Sequence, residues 1–470
     1  MEGIVESEVF GKPSKPALKR GLSALGALLI VLSAVTPASS VFIIVPGVIA
    51  MAGSGSFLSF VFAAIIGLFM AFVYAELSSA YPMAGGEYTM IGRTIGPFWG
   101  FLTLVLIFVS LAIIIAVIAL GIGTYLGVLF PNLNGQWMGV IGIALAAIIA
   151  ALKIKTNALV TGIFLGIEML ALLVLTVLGF ANVSRPIGSL ISAPEIFDAT
   201  SNALAPASLG LIMAATAVAL FAYNGYGAAA YFGEETHDAK RNIGRVVLWA
   251  LIITVAAEII PLTAVLLGSP DLAGLLKAPQ KIEYFLEARG GHGLTVMISL
   301  AIALAIFNAV IAIILQGARL LFSAGRDKTF FEPVNSWVAR LSTAHASPVN
   351  ATIVIAVLAA ASCFLDFNML LLVSGTSLIV VYALLCVAVI MGRRNGSTAS
   401  GHYRMPGFPV PAILGFLALI YIVYQNWSDV AFGRPSLMIT FGILAAAAVY
   451  YAVFLMRRKD WTLHGPDEIA

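Results

Sequence analysis

Phe221 to Glu235 read FAYNGYGAAAYFGEE, a stretch inside a long apolar run that carries residues an apolar helix avoids. Gly225 and Gly227 flank Tyr226, and each glycine weakens a helix by roughly 1 kcal/mol relative to alanine. Asn224 beside them offers a side chain that can bond freed backbone groups. The segment therefore reads as a helix that breaks. In lipid, unpaired amide and carbonyl groups cost several kcal/mol each, so a break persists where it lines a cavity or meets a ligand. The plainer reading is that the glycines let another helix pack closely. A second break decides between the two.

The chain supplies one. Thr36, Pro37, Ala38, Ser39 and Ser40 interrupt the first apolar run near its middle, where Pro37 removes a backbone donor and clashes with the preceding turn. Gly- or Pro-interrupted spans at matching positions in two halves of a chain point to a transporter built from inverted repeats, with substrate at the midplane.

Composition agrees. The 470 residues are 61% hydrophobic and 10% charged, with a mean hydropathy of +1.04, whereas soluble globular chains are about 25% charged. Apolar runs fall near 22–50, 57–79, 95–128, 137–152, 157–180, 208–232, 246–268, 294–323, 349–366, 369–391, 410–428 and 436–456, about twelve spans of the roughly 20 residues needed to cross a bilayer. The expectation is an all-α integral membrane protein. The broken spans are the first and the sixth, which divides the chain into a tail (1–21), a first repeat of five helices (22–180), a second repeat of five (208–391), two further helices (410–456) and a second tail (457–470). Because five is odd, the second repeat starts on the opposite side of the membrane, as an inverted repeat requires.

Charge placement orients these spans. With the N-terminus in the cytoplasm, only Arg185, Lys277, Lys281, Arg289 and Arg434 of the 25 Lys and Arg fall on the other side, a strong positive-inside bias. Both termini are expected to be cytoplasmic and the protein to be multi-pass in the plasma or inner membrane. The first run is longer than the 7–15 residues of a signal-sequence core and more spans follow, so it reads as a helix. Cys363 and Cys386 fall within spans without metal-ligand spacing and read as packing residues.

Three stretches resemble the amino acid-polyamine-organocation superfamily of permeases. AELSSAYPMAGGEYTMIGRTIGPFWGF (Ala75 to Phe101) is similar to the family's AEL, P-x-x-GG-x-Y and GP-x-x-GF pattern. FAYNGYG followed by EETHDAKRNIGR (Glu234 to Arg245) resembles its F-x-x-x-G segment and acidic-basic continuation, and GARLLFSAGRDKTFFEPV (Gly317 to Val334) its SR-x-x-F-x-x-x-RD-x-x-x-P stretch. There are departures. Ala38, Ser39 and Ser40 replace a GSG triplet, Gly227 stands where many members carry an acid, and Ala239 and Gly244 replace loop prolines. The resemblance implies a LeuT-like five-plus-five inverted repeat and a transport function.

An α-amino acid carries a carboxylate and an ammonium, and a split helix offers a partner for each without a charged side chain. Backbone N–H groups around Ser39, Ser40, Gly225 and Gly227 are the candidates for the carboxylate, and carbonyls near Val35, Thr36 and Phe221 for the amine. The candidate substrate residues are Thr36, Ala38, Ser39, Ser40, Phe221, Asn224, Gly225, Tyr226 and Gly227. Phe221, Tyr223 and Tyr226 are candidates for a gate or side-chain pocket, with at least one expected to be packing only. Glu234, Glu235, His237, Lys240 and Arg241 read as a solvated, salt-bridged loop. The remaining histidines fall in loops or the tail.

Glu168 and Glu258 lie deep in spans five and seven, and an intramembrane acid is a functional candidate. At 3.6 residues per turn, Asn157, Thr161, Glu168 and Gly179 share one face away from the leucines, so Glu168 should face protein. By resemblance, Glu168 also falls where some proton-coupled members place a lysine that substitutes for sodium beside the first break. Both acids are candidate proton-coupling residues.

The expected function is a secondary transporter for an amino acid or related amine working by alternating access, with proton symport favoured over exchange. A membrane-embedded enzyme would need a nucleophile with its base or a ligand cluster, and a channel would need a filter segment or charge rings; neither pattern is visible. The expected partners are the small-molecule substrate, the proton and the bilayer, with no cofactor, metal or nucleic acid.

Overall fold

The computed structural model describes residues 18–127, 132–430 and 433–468. Residues 1–17 of the expected N-terminal tail, residue 128 at the end of the third expected span and residues 469–470 of the C-terminal tail lie outside them. Among the described residues the regular elements are helical apart from one antiparallel hairpin, Glu195–Asp198 against Ala203–Pro206, and a single parallel bridge between Leu22 and Thr236. That hairpin falls in the polar segment between the two expected repeats.

Nine helical stretches among the described residues are long and apolar enough to cross a membrane. The first, Ala24–Ala80, runs for 57 residues, more than twice what one crossing needs. Two shorter apolar helices, Gly135–Ala150 and Val349–Ser362, accompany the nine.

The helices bury their polar faces. Along Ile154–Ala181, Asn157, Thr161, Glu168 and Gly179 are buried, whereas Leu159, Ile163, Leu170, Leu173 and Val177 are exposed. The exposed residues recur at helical spacing, so the apolar stripe faces outward, the reverse of a soluble amphipathic helix. Hydrocarbon is the solvent this surface fits. The inward face bonds to a neighbouring helix: Asn308 Nδ2 donates to Ser33 Oγ at 2.9 Å and to the Thr161 carbonyl at 3.2 Å.

Both expected breaks are present. Ser23 caps the first helix, its Oγ accepting from Gly26 N at 3.1 Å, and the helix runs only from Ala24 to Val35 before Thr36 turns left-handed at φ 49°. Pro37 restarts it from the first-turn position, where the missing N–H costs nothing. A wide turn at Ser40–Ile44 then leads into Val45–Ala52. The other broken helix runs from Leu209 to Ala222, opens at Gly225 with φ 121°, and resumes as a tight 3₁₀ segment, Tyr226–Glu235. The helix Lys281–Arg326, kinked at Gly291, packs against Pro97–Leu126 and Ile154–Ala181 and forms the centre of the bundle.

Candidate functional site

The two breaks meet. A Cβ at Gly225 would lie 3.0 Å from Val35 Cα and 3.2 Å from Val35 N, so the absence of a side chain lets one interrupted backbone touch the other. Ser40 Oγ reaches across the same junction to donate to the Ala222 carbonyl at 3.1 Å, satisfying one of the acceptors left open at that helix end.

Glu168 closes the other side of the first break. Its Oε1 accepts from Ala38 N at 2.8 Å and lies 3.1 Å from Thr36 Oγ1. The Thr36 hydroxyl is also 2.8 Å from Ser39 Oγ, and its single proton serves one acceptor at a time. A carboxylate thus caps the N-terminal end of a restarted helix, where free N–H groups and the helix dipole favour negative charge. Glu168 Oε2 and both oxygens of Glu258 have no hydrogen-bond partner among the described residues, and both side chains are fully buried.

Between the breaks lies a cavity of about 910 Å3. Of the residues expected to meet substrate, Thr36, Ser39, Ser40, Phe221, Asn224, Gly225 and Gly227 line it. Ala38 and Tyr226 lie off its wall. Ala38 spends its N–H on Glu168, and Tyr226 packs edge-on against Tyr74 with centroids 5.8 Å apart. Glu168 and Glu258 are behind the wall. Two of the carbonyls expected to hold an amine already accept a backbone bond, Thr36 from Ser40 N at 3.1 Å and Phe221 from Asn224 N at 3.1 Å. Tyr223 is packing only, its OH on the Phe60 carbonyl at 3.1 Å.

The cavity reaches toward the end of the bundle that carries Tyr125, Gln280, Phe367 and Asn426. The opposite end is closed by buried polar contacts. Glu235 forms a bidentate pair with Arg319, one arm at 2.9 Å, and Glu234 another with Arg326, both arms at 2.8 Å. Glu234 also accepts from Ala84 N at 2.9 Å. These two acids are therefore not the solvated loop expected from their neighbours in sequence: their partners come from the helix Lys281–Arg326, and a bidentate arginine offsets the cost of burying them.

The lining also includes residues that were not expected there, among them Tyr74, Glu87, Gln316 and Tyr382. Tyr382 OH donates to Asn224 Oδ1 at 2.6 Å, so the polar residue of the second break is held from a distant helix. Tyr74 OH donates to Glu87 Oε1 at 2.9 Å, and Tyr231 OH donates to Glu87 Oε2. Glu87 carried a signal in the sequence, an acid at the variable position of the GG-x-Y stretch. Tyr74 and Tyr382 sit in apolar helices, where nothing in the local pattern separates a cavity residue from packing.

A family model described as amino acid permease matches residues 22–454. The chain is 24% identical to the branched-chain amino acid permease BcaP of Lactococcus lactis subsp. cremoris, over 88% of this chain and 90% of that one. It is 28% identical to an uncharacterized transporter of Mycobacterium tuberculosis, over 78% and 79% respectively. A methylthioribose transporter of Bacillus subtilis is 23% identical over 87% of this chain and 89% of its own.

Proposed function

The chain belongs to the amino acid permease family, and on that footing we propose that it is a secondary active transporter moving an amino acid or related amine across the cell membrane by alternating access, driven by proton symport. Membership favours this over a membrane-embedded enzyme. The observation that carries the coupling is the contact of Glu168 with the first break, where one carboxyl group bonds both Ala38 N and Thr36.

In this mechanism the substrate carboxylate binds the N–H groups of Ser39 and Gly227, and its ammonium binds the carbonyl end near Val35. Ionised Glu168 competes for the same helix end from behind the wall. Taking up a proton removes its charge and turns one oxygen into a donor, which loosens its hold on Thr36 and Ala38 and lets the restarted helix turn toward the substrate carboxylate. Glu258, equally buried, is the second candidate for the proton. The end bearing Tyr125 and Asn426 faces outside, both termini are cytoplasmic, and the paired Glu234, Glu235, Arg319 and Arg326 form the closed inner gate. Counting Ala24–Ala80 as two crossings and the two short apolar helices as one each brings the nine stretches to the twelve of two inverted five-helix repeats plus two.

Uptake into proteoliposomes tests this. The expected result is saturable amino acid accumulation that rises with an inward proton gradient and collapses with a protonophore. Uptake that ignores the gradient but needs internal substrate would assign exchange instead, and no uptake of any amino acid or amine would overturn transport.

A further inference from the structure

The buried acids of this protein sort by their partners. Glu76 has Arg393 at 2.6 Å, Glu234 has Arg326, Glu235 has Arg319, and Asp327 has His464 at 2.6 Å. Glu87 is different. It is buried in the loop-side helix Glu87–Thr94, and among the described residues no Lys, Arg or His pairs with it. Glu168 and Glu258 also lack a basic partner, but they lie behind the cavity wall. Glu87 is on it, and it is the one acidic or basic side chain among the lining residues.

Both of its oxygens accept phenolic protons, from Tyr74 and from Tyr231; burial disfavours the charged form, these two hydrogen bonds oppose that, and a cationic partner would complete the balance. Around it stand aromatic rings. Tyr74 meets Tyr382 edge-on with centroids 5.5 Å apart, and both line the cavity. A desolvated carboxylate with tyrosine rings close by is chemistry suited to an organic cation.

We propose that Glu87, with Tyr74 and Tyr382, forms a subsite for a positively charged side chain, so that the substrate class is cationic amino acids. The inference rests on the transport reading above and names its substrate. Spacing fits it: the Tyr74 ring packs directly on Gly227, where a Cβ would lie 2.5 Å from it, and the Tyr74 hydroxyl touches Glu87. The carboxylate is therefore one tyrosine ring away from the second break, within reach of an extended lysine- or arginine-length side chain whose α-groups sit at the breaks.

The test compares lysine, arginine and leucine uptake in proteoliposomes by wild type, Glu87→Gln and Glu87→Asp, with thermal unfolding of each purified variant as the check on folding. Wild type is expected to take up lysine and arginine in preference to leucine. Glu87→Gln, folded and of unchanged volume, should lose lysine affinity by about tenfold or more, the loss expected when a buried charge pair is removed, and should shift preference toward leucine. Glu87→Asp should recover part of the lysine uptake. Wild type that carries leucine but neither cationic amino acid overturns the subsite while leaving transport standing. So does a lysine-to-leucine preference unchanged in Glu87→Gln. Leucine uptake whose pH dependence disappears in Glu87→Gln, without lysine uptake in wild type, would assign Glu87 to the proton and also overturn the subsite. Absence of all amino acid and amine uptake overturns transport and the subsite together.

Discussion

The backbone N–H of Ala38 donates to Glu168 Oε1 at 2.8 Å, joining the restart of the first broken helix to an acid 130 residues further along the chain. That one bond places a protonatable group on the backbone where the helix is interrupted, and the first prediction follows from it. Glutamine at position 168 keeps an acceptor for Ala38 but carries no exchangeable charge. Glu168→Gln should bind substrate and still exchange it, yet lose accumulation driven by a pH gradient. Glu168→Ala should in addition lower the unfolding midpoint, because a buried N–H left without its acceptor costs about 1–3 kcal/mol. If Glu168→Gln keeps full pH-driven accumulation while Glu258→Gln loses it, coupling belongs to Glu258.

Gly225 gives the second. Its φ of 121° and the Val35 backbone 3.0 Å from any added Cβ leave no room for a side chain. Gly225→Val should abolish substrate binding and destabilise the protein by on the order of 1–3 kcal/mol, the cost of a strained backbone. Gly442, in the helix Gly433–Val453 with open space around it, is the control: Gly442→Ala should leave binding unchanged and raise stability slightly. Ligand titration alongside thermal unfolding reads both effects, and wild-type affinity in a folded Gly225→Val protein would count against the site.

At the closed end, Glu235→Gln leaves the buried Arg319 guanidinium without its counter-charge. Breaking such a pair from one side costs about 3–5 kcal/mol. A large fall in the unfolding midpoint is expected, together with faster labelling of a Ser40→Cys probe from the cytoplasmic side as the inner gate opens. An unchanged midpoint would mean that the pair is exposed or already broken in the membrane.

Orientation is tested by accessibility in intact cells. An impermeant thiol reagent added outside should label Ser201→Cys, beside the hairpin, and should miss Arg241→Cys; both positions are exposed in the fold. The reverse pattern would invert the whole assignment of inside and outside.

The two helix breaks, the membrane setting and the inward-facing stripe of Asn157, Thr161 and Glu168 were legible in the sequence because they are local properties. Glycine and proline act on their own turn of backbone, and helical periodicity places residues on one face whatever the neighbours are. An acid in an apolar run has to face protein. What Glu168 touches was not legible, since no pattern along the chain says which helix end will arrive beside a given side chain.

The same division runs through the rest of the site. The sequence by itself determined where the backbone must open, at Thr36–Ser40 and at Asn224–Gly227. Only the tertiary structure decided that Gly225 rests on Val35, that Tyr382 holds Asn224, that Glu234 and Glu235 belong to Arg326 and Arg319 rather than to the basic residues beside them, and that Glu87 reaches the cavity wall with two tyrosines and no base. The physical reason is that buried charges and hydrogen bonds must be satisfied by whatever the packing brings within about 3 Å, and in a bundle this long those partners come from helices far apart in the chain.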